Sequence, residues 1–516
     1  MSPLPEVSPR DAHNQTLVGN VHPADWTNPK PVGRYNLVVI GAGSAGLITS
    51  AIAAGLGARV ALVERHYLGG DCLNVGCVPS KGVIRASRMV AEARRAEKEI
   101  GLALADGAEA DFGAAMERMR RIRAEISAED AAVRYRDELG VDVFLGEARF
   151  SGKDTVDVGG TTLRFAKAVI ATGARAVSLP IEGLEEAGYL TNETIFNLTS
   201  RPRRFGVIGA GPIGCEMAQA FRRLGSEVTL LHADDHILPR EDADAAHVLE
   251  ERFAAEGIRL VNACRIERVD RDPATGEKTI AFHHADGRSD RVAVDELLLG
   301  VGRAPNVEGL GLENVGVRYD ARRGVRVNDF LQTSNPRIYA AGDICMAWKF
   351  THAADAAAKI VVQNALFFHH VPFLKKRLSS LVMPWCTYTD PEVAHVGLYA
   401  SDADEQGIET DTFTVPLSQV NRAVADGEDE GFVKIVTKRG KDEILGATIV
   451  ASHAGEMISE VTLAMVGGLG LGKIIEVIHP YPTQAEGIKR AAGLYTRGRA
   501  TPGVVKWMSR WMALQR

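Results

Sequence analysis

Cysteine is scarce in this chain, with six in 516 residues. So few in so long a chain exclude a disulfide-stapled scaffold, and in a cytoplasmic setting they leave any close pair as a candidate for catalysis or metal binding. A basic excess is also missing. Sixty Lys and Arg stand against 66 Asp and Glu, for a net charge of −6, so no surplus exists to neutralise nucleic-acid phosphates. No stretch approaches the ~20 apolar residues that a membrane span requires. Residues 1–34 lack an apolar core preceded by basic residues and do not read as a signal peptide; they read as a disordered or loosely docked extension of a cytoplasmic protein. What remains is ordinary for globular proteins, 46% hydrophobic and 24% charged, and the length implies two to four domains.

Against that scarcity, two of the cysteines stand together. Cys72 and Cys77 lie in Gly69-Gly-Asp-Cys-Leu-Asn-Val-Gly-Cys-Val-Pro-Ser-Lys81. About one βαβ unit upstream, Tyr35–Ile40 reads as a buried strand. Gly41-Ala-Gly43-Ser-Ala-Gly46 follows, then a helical run from Leu47 to Gly57, then a strand over Arg59–Val63 that ends at Glu64. This is the strand–turn–helix–strand context of a dinucleotide-binding loop. The first glycine permits the tight turn, the second lets the backbone approach a pyrophosphate, and the third lets helix pack on strand. The phosphates then face the positive end of the helix. Glu64, 23 residues after Gly41, is placed to accept hydrogen bonds from a ribose diol.

The pattern occurs twice. Arg204–Ile208 reads as a strand, Gly209-Ala-Gly211-Pro-Ile-Gly214 as a second glycine loop, Cys215–Leu224 as a helix and Val228–Leu231 as the next strand. Two modules imply two dinucleotides, one resident and one shuttling. In the second, the position of Glu64 is taken by His232. The absence of a carboxylate removes the usual reason to prefer NADH, while Asp234 and Asp235 would repel a 2′-phosphate, so NADH and NADPH both stay open. Residues 84–139, rich in Ala, Arg and Glu, read as long helices with solvated charged faces. Strands are expected at Val141–Leu145, Ala148–Phe150, Thr155–Val158 and within Ala168–Ala174. After residue 380 alternating strands at Thr412–Leu417, Val433–Thr437 and Ala447–Val450, with helices at Gly455–Met465 and Gly472–Val477, read as a separate α+β domain. Cys215, Cys264, Cys345 and Cys386 are scattered, and each reads as a small buried hydrophobe.

Together these residues resemble the flavin-dependent pyridine nucleotide–disulfide oxidoreductases, the family of dihydrolipoamide dehydrogenase, glutathione reductase and mercuric reductase. The resemblance spans roughly residues 35–495. It rests on both glycine loops with Glu64 and Glu216, the Cys72–Cys77 box with Lys81, Ala171-Thr-Gly173, Gly342-Asp343, Thr389-Asp-Pro-Glu392 and His479-Pro-Tyr-Pro-Thr-Gln-Ala-Glu486. It implies an α/β fold with two Rossmann-like domains, for FAD and NAD(P), and a C-terminal α+β dimerisation domain. The implied boundaries are an extension at 1–34, the FAD domain at 35–182, the NAD(P) domain at 183–304, a return of the FAD domain at 305–380, the dimerisation domain at 381–497 and an amphipathic tail at 498–516.

The resemblance also implies roles. Cys72 would be the thiol that meets substrate and Cys77 the one that contacts the flavin, with Lys81 near the flavin and paired to Glu216. Gly41, Gly43, Gly46, Glu64, Lys81, Ala148, Thr172, Gly173, Gly342 and Asp343 would hold FAD. Gly209, Gly211, Gly214, His232 and Gly302 would hold NADPH or NADH. A homodimer would complete the cysteine site with the 479–486 segment of the second subunit, which carries His479, Tyr481 and Glu486. No resident metal site is implied. The tail, with Trp507, Trp511 and Leu514 at helical spacing, is expected to pack on its own dimer rather than on a membrane.

One departure bears on function. In disulfide-reducing members a histidine directly precedes the Pro-Thr step and protonates the departing thiol. Here that slot is Tyr481. A phenol has a reference pKa of ~10 against ~6.5 for imidazole, so its use as a base near neutrality costs about 4–5 kcal/mol more. His479, two residues earlier, is the available substitute. Tyrosine in this slot resembles mercuric reductases, in which no thiol departs and a reduced cysteine pair is a soft dithiolate site for Hg²⁺. Yet the last cysteine is Cys386, so the terminal vicinal pair of mercuric reductases is missing here, as is their N-terminal cysteine-bearing domain. The reading is therefore electron transfer to a metal ion or another small acceptor, with reduction of a low-molecular-weight disulfide as the alternative.

Overall fold

A computed structural model of the chain describes residues 5–103, 109–368 and 371–516. Residues 1–4 of the expected extension, 104–108 of the charged helical stretch and 369–370 of the return segment lie outside the described residues. The chain forms two compact units: Met1–Ala233 with Gly257–Leu381, and Asp234–Glu256 with Val382–Arg516.

The first unit is built on a seven-stranded sheet. Its N-terminal elements are α1 (Ala12–Val21), β1 (Arg34–Ile40), α2 (Ser44–Gly55), β2 (Val60–Glu64), α3 (Gly70–Asn74), α4 (Cys77–Ile100), α5 (Phe112–Ile126), β3 (Asp142–Leu145), β4 (Ala148–Gly152), β5 (Thr155–Val158) and β6 (Thr161–Ile170). The strand order is β3-β2-β1-β6-β5-β4, and strand Ile338–Ala340 returns to pair in parallel with β6. β1 lies between β2 and β6, parallel to both. Its run Leu37–Ile40 is buried without interruption, as expected of a parallel strand covered on both faces. β4, β5 and β6 pair antiparallel and pack Phe150, Val156, Leu163 and Phe165 into the same core as Tyr35 and Ile338.

A second parallel sheet in this unit has the order Arg259–Val261, Glu227–Leu231, Arg204–Ile208, Glu296–Leu299. The second unit is a five-stranded antiparallel sheet, ordered Pro384–Thr387, Glu392–Gly397, Ile444–Ala451, Phe432–Lys438, Thr410–Pro416. Helices Ala454–Val466 and Glu486–Gly498 bury Ile458, Val461, Ile488 and Ala491 in its core.

Four expectations are corrected in detail. The segment before β1 is not loose from residue 5 onward: α1 buries Asn14, Leu17 and Val21, and Asp11 caps it by accepting from the Asn14 amide at 2.9 Å. The charged stretch after residue 84 is not uniformly solvated, because Arg120 and Arg123 of α5 are buried. The helix expected at Gly472–Val477 is a single turn, Leu471–Ile474. Of the four scattered cysteines, Cys215 and Cys264 are buried, while Cys345 and Cys386 are half-buried. Helix Pro502–Leu514 forms with Trp507 and Trp511 stacked and none of its residues buried in the single chain. Among the described residues no helix is long and apolar enough to cross a membrane.

Segment 234–256 joins the second unit through buried charge. Glu241 accepts from Trp385 Nε1 and from the Tyr399 hydroxyl, both at 2.7 Å. Lys434 lies 2.5 Å from Asp242 and 2.8 Å from Asp244. Removing one donor leaves a buried carboxylate undersatisfied, which costs about 1–3 kcal/mol. Trp385→Phe is therefore expected to destabilise the second unit by about that amount in denaturant unfolding, and an unchanged midpoint would contradict the anchoring role.

Candidate active site

The first glycine loop runs from the end of β1 into α2. Gly41 has φ +101, and a Cβ there would lie 2.4 Å from the Ala171 carbonyl oxygen. At Gly46 a Cβ would lie 1.8 Å from the Gly41 carbonyl oxygen. No larger residue fits either position. Gly43 differs: the nearest atom to a Cβ would be Gly70 Cα at 3.8 Å, so its lack of a side chain keeps an approach open. The N-terminal amides of α2 are turned to that approach, where they favour an anion. Glu64, at the end of β2, accepts from the Ala42 amide at 2.7 Å and the His66 amide at 2.8 Å, and burial pushes its carboxyl pKa up.

The second loop repeats this geometry. Gly209 has φ +102, with a Cβ 2.5 Å from the Gly300 carbonyl oxygen, and a Gly214 Cβ would lie 1.9 Å from the Gly209 carbonyl oxygen. A Gly211 Cβ meets nothing within 4 Å. His232 Nδ1 accepts from the Ala210 amide at 3.2 Å. It thus holds its loop by the bond that Glu64 makes in the first module. Gly302, with φ +122, meets nothing within 4 Å.

Near the first loop the remaining cofactor candidates converge on β6 and the return strand. The Thr172 hydroxyl donates to Asn306 O and Asn306 Nδ2 donates to Thr172 O, both at 2.9 Å, and the Gly173 carbonyl accepts from the Asn306 amide at 3.0 Å. Gly342, with φ +81, brings its backbone against Ala45. Burial pushes the Asp343 carboxyl pKa up, against the pull of Arg303; Arg303 Nε lies 3.5 Å from it and the same guanidinium pairs with Asp71, next to Cys72. Ala148, on β4, packs against the sheet core. A cradle that side chains would fill, a helix N-terminus and a carboxylate at the end of the second strand fit a dinucleotide such as FAD.

Cys72 lies on α3 and Cys77 begins α4. The interaction between the two thiols lowers the Cys77 pKa to about 6, with help from the Thr351 hydroxyl and the Lys81 ammonium; the same interaction and burial push Cys72 up. Thr351 Oγ1 lies 3.3 Å from Cys77 Sγ. The start of a helix favours the thiolate further. The thiolate of the reduced pair is therefore favoured on Cys77 over Cys72. Lys81 Nζ, one turn along α4, lies 3.0–3.1 Å from both carboxylate oxygens of Glu216, which is 5% exposed on helix Pro212–Arg223.

The 479–486 residues belong to the second unit. The His479 side chain is 6% exposed, with Nε2 2.9 Å from Glu460 Oε1. Tyr481 is 72% exposed, and its hydroxyl accepts from Asn421 Nδ2 at 2.9 Å. Glu486 pairs with Arg490 at 2.9 Å. Among the described residues there is no cluster of three or more His, Cys, Asp or Glu able to hold a metal ion. Sequence reasoning missed Thr351 and Arg303. Gly302 stands out in the sequence while the neighbouring Arg303 does not, and a threonine at a helix start carries no signal of contact with a distant thiol.

The family model described as pyridine nucleotide-disulphide oxidoreductase matches residues 35–358, and that of its dimerisation domain matches 383–492. A mercuric reductase of Lysinibacillus sphaericus is 36% identical over 459 residues, covering 89% of this chain and 82% of the relative. A dihydrolipoyl dehydrogenase of Chlamydia muridarum is 32% identical over 465 residues, covering 88% and 95%. Among solved structures, the Cu(II) complex of the HOCl-induced flavoprotein disulfide reductase RclA from Escherichia coli superposes with a TM-score of 0.78 at 26% identity, over 90% of this chain and 100% of that one.

Two outcomes follow from the geometry. Gly46→Ala is expected to lose bound flavin and stability together, whereas Gly43→Ala should fold like the parent and lose flavin alone, as read from the flavin-to-protein ratio and the unfolding midpoint. In the reduced protein the folded pKa of Cys77 lies below the ordinary thiol value, so its thiolate persists as pH falls and is lost only through about 6. The alkylation rate of Cys77 should follow that midpoint, and Lys81→Met should raise it.

Proposed function

The chain belongs to the pyridine nucleotide-disulphide oxidoreductase family, and from that premise we propose that it carries electrons from NAD(P)H through Cys72 and Cys77 to a thiophilic metal ion such as Hg²⁺, or to another small acceptor. The family binds FAD and NAD(P)H, its members are flavoprotein disulfide oxidoreductases, and the dimerisation domain supports a homodimer. The finer reading rests on one observation. Tyr481 stands exposed where a disulfide reductase needs an imidazole, and the substitute, His479, is turned to Glu460 of its own chain.

When bound, FAD supplies the two-electron carrier between nicotinamide and the cysteines. The chain's own residues then do the following. The first glycine loop and Glu64 bind FAD, together with Thr172, Gly173 and Asp343. The second loop and His232 bind the nicotinamide nucleotide. Lys81, held by Glu216, keeps a positive charge near Cys77 and favours its thiolate. Cys72 gives up its proton on binding a soft cation, which two thiolates hold better than oxygen ligands do. The balance is NAD(P)H + Hg²⁺ → NAD(P)⁺ + H⁺ + Hg⁰. No thiol leaves, so no acid of near-neutral pKa is needed, and Tyr481 is no handicap. The likeness to mercuric reductases and to a reductase solved with Cu(II) supports this class of acceptor. A cytoplasmic setting, where NAD(P)H is supplied, completes the reading.

The dihydrolipoyl dehydrogenase relatives favour the second reading, in which a small disulfide is the acceptor and His479 its acid–base group. Anaerobic oxidation of NADH and NADPH, measured in parallel with Hg²⁺, Cu²⁺ and lipoamide, separates the two. Metal-dependent turnover is expected, falling at least about 100-fold in Cys72→Ala and Cys77→Ala, with slow lipoamide turnover that His479→Ala leaves unchanged. Fast lipoamide turnover that is lost in His479→Ala, with no response to metal, would reverse the assignment.

A further inference from the structure

The backbone between the two cysteines is held from behind by a segment outside the matched family region, which begins at residue 35. Asn74, midway between Cys72 and Cys77, ends α3. Its side-chain amide donates to the Leu68 and Gly70 carbonyls, both at 2.9 Å. Its own carbonyl accepts from Arg123 Nη1 of α5 at 2.6 Å. The other arm of that guanidinium, Nη2, donates to Asn14 Oδ1 of α1 at 2.7 Å. All three residues are buried: Asn14 and Arg123 are 2% exposed and Asn74 is 6%. Asn14 is fixed in turn, since its Nδ2 donates to Pro9 O at 2.7 Å, and Asp11 of the same turn accepts from Arg120 Nε at 2.6 Å.

The other end of α1 grips the same loop. The Leu68 amide donates to Val21 O at 3.1 Å, His22 bonds the His66 carbonyl, and the Tyr67 hydroxyl donates to Pro5 O at 2.9 Å. Residues 5–22 thus meet the approach to Cys72 directly at residues 66–68 and reach the step between the cysteines at Asn74 through Arg123.

A guanidinium this deeply buried, bonded to an amide oxygen and a peptide carbonyl rather than to a carboxylate, is costly to hold and adds no strong ion pair. What it gives is geometry. Its planar fork joins two acceptors on different elements, which a lysine ammonium on a flexible stem does not reproduce. We propose that α1, acting through Asn14 and Arg123, is a positioning clamp for the redox loop, which keeps the two thiols in register and so sets their dithiol–disulfide equilibrium. The proposal rests on Cys72 and Cys77 being the redox pair. Asn14 and Arg123 are positioning residues and touch neither substrate nor cofactor. Without the clamp the reduced loop gains conformational freedom that closing the disulfide must remove, so the dithiol gains on the disulfide.

The test is equilibration of the full-length flavoprotein in reduced and oxidised dithiothreitol. There the Cys72–Cys77 disulfide and reduced dithiothreitol exchange two electrons and two protons to give the dithiol and oxidised dithiothreitol, and alkylation of the two thiols reads the balance. The unmodified protein must show a two-thiol transition confined to Cys72 and Cys77; if it does not, the redox reading itself fails. Asn14→Leu is expected to shift the equilibrium about tenfold toward the dithiol, about 30 mV for a two-electron couple. Asn14→Asp, which keeps an acceptor for Arg123, is expected to restore most of it. Arg123→Lys is expected to match Asn14→Leu. A transition in Asn14→Leu that stays at the parent position, or moves toward the disulfide, overturns the clamp. If Asn14→Leu does not fold, Arg123→Lys is read by the same criterion.

Discussion

Two thiols that are to exchange a bond must be held within reach of each other, and only one of them should ionise. Everything around Cys72 and Cys77 serves that constraint. One thiol lies on a short helix and the other begins a long one, and the interaction between them lowers the Cys77 pKa and raises the Cys72 pKa. Lys81 and Thr351 reinforce the difference from the Cys77 side. Arg123 and Asn14 hold the intervening backbone from the opposite side. The glycine loop that would cradle FAD lies one strand and one helix upstream, at the end of β1.

The two dinucleotide modules show how much of this was legible in sequence. Gly41 and Gly46, like Gly209 and Gly214, occupy positions where a Cβ would strike backbone at 1.8–2.5 Å, and such steric demands leave a mark in any sequence that meets them. The strands around them are short apolar runs with the expected parallel register. The pairing of Lys81 with Glu216 was reachable only through family resemblance, because it joins residues 135 apart that no local pattern relates. Arg123 was not legible at all. On sequence it is one arginine among many in a charged helical stretch, and periodicity does not separate an arginine that faces water from one turned inward to a carbonyl. The same blindness made residues 5–34 look loose, since the polar residues that dock them, Asp11, Asn14 and Asn20, are also those of a disordered tail.

The departure at Tyr481 has a consistent physical context in the second unit. His479 is engaged with Glu460, Glu486 with Arg490, and Tyr481 with Asn421. Each of the three residues proposed to complete the cysteine site from a second subunit thus has a partner within its own chain, and the imidazole–carboxylate pair formed by His479 with Glu460 leaves the Tyr481 slot itself without an imidazole. That favours an acceptor that takes electrons without requiring a proton to be delivered to a leaving thiol.

The central claim is that electrons from the nicotinamide reach this pair of cysteines and no other. Anaerobic addition of one equivalent of NADPH to the oxidised flavoprotein, followed by alkylation and peptide mass spectrometry, tests it directly. The account predicts that Cys72 and Cys77 become alkylated together, with Cys215, Cys264, Cys345 and Cys386 unchanged from the unreduced control. Failure of NADPH and NADH alike to release these two thiols, or release at another cysteine, would contradict it.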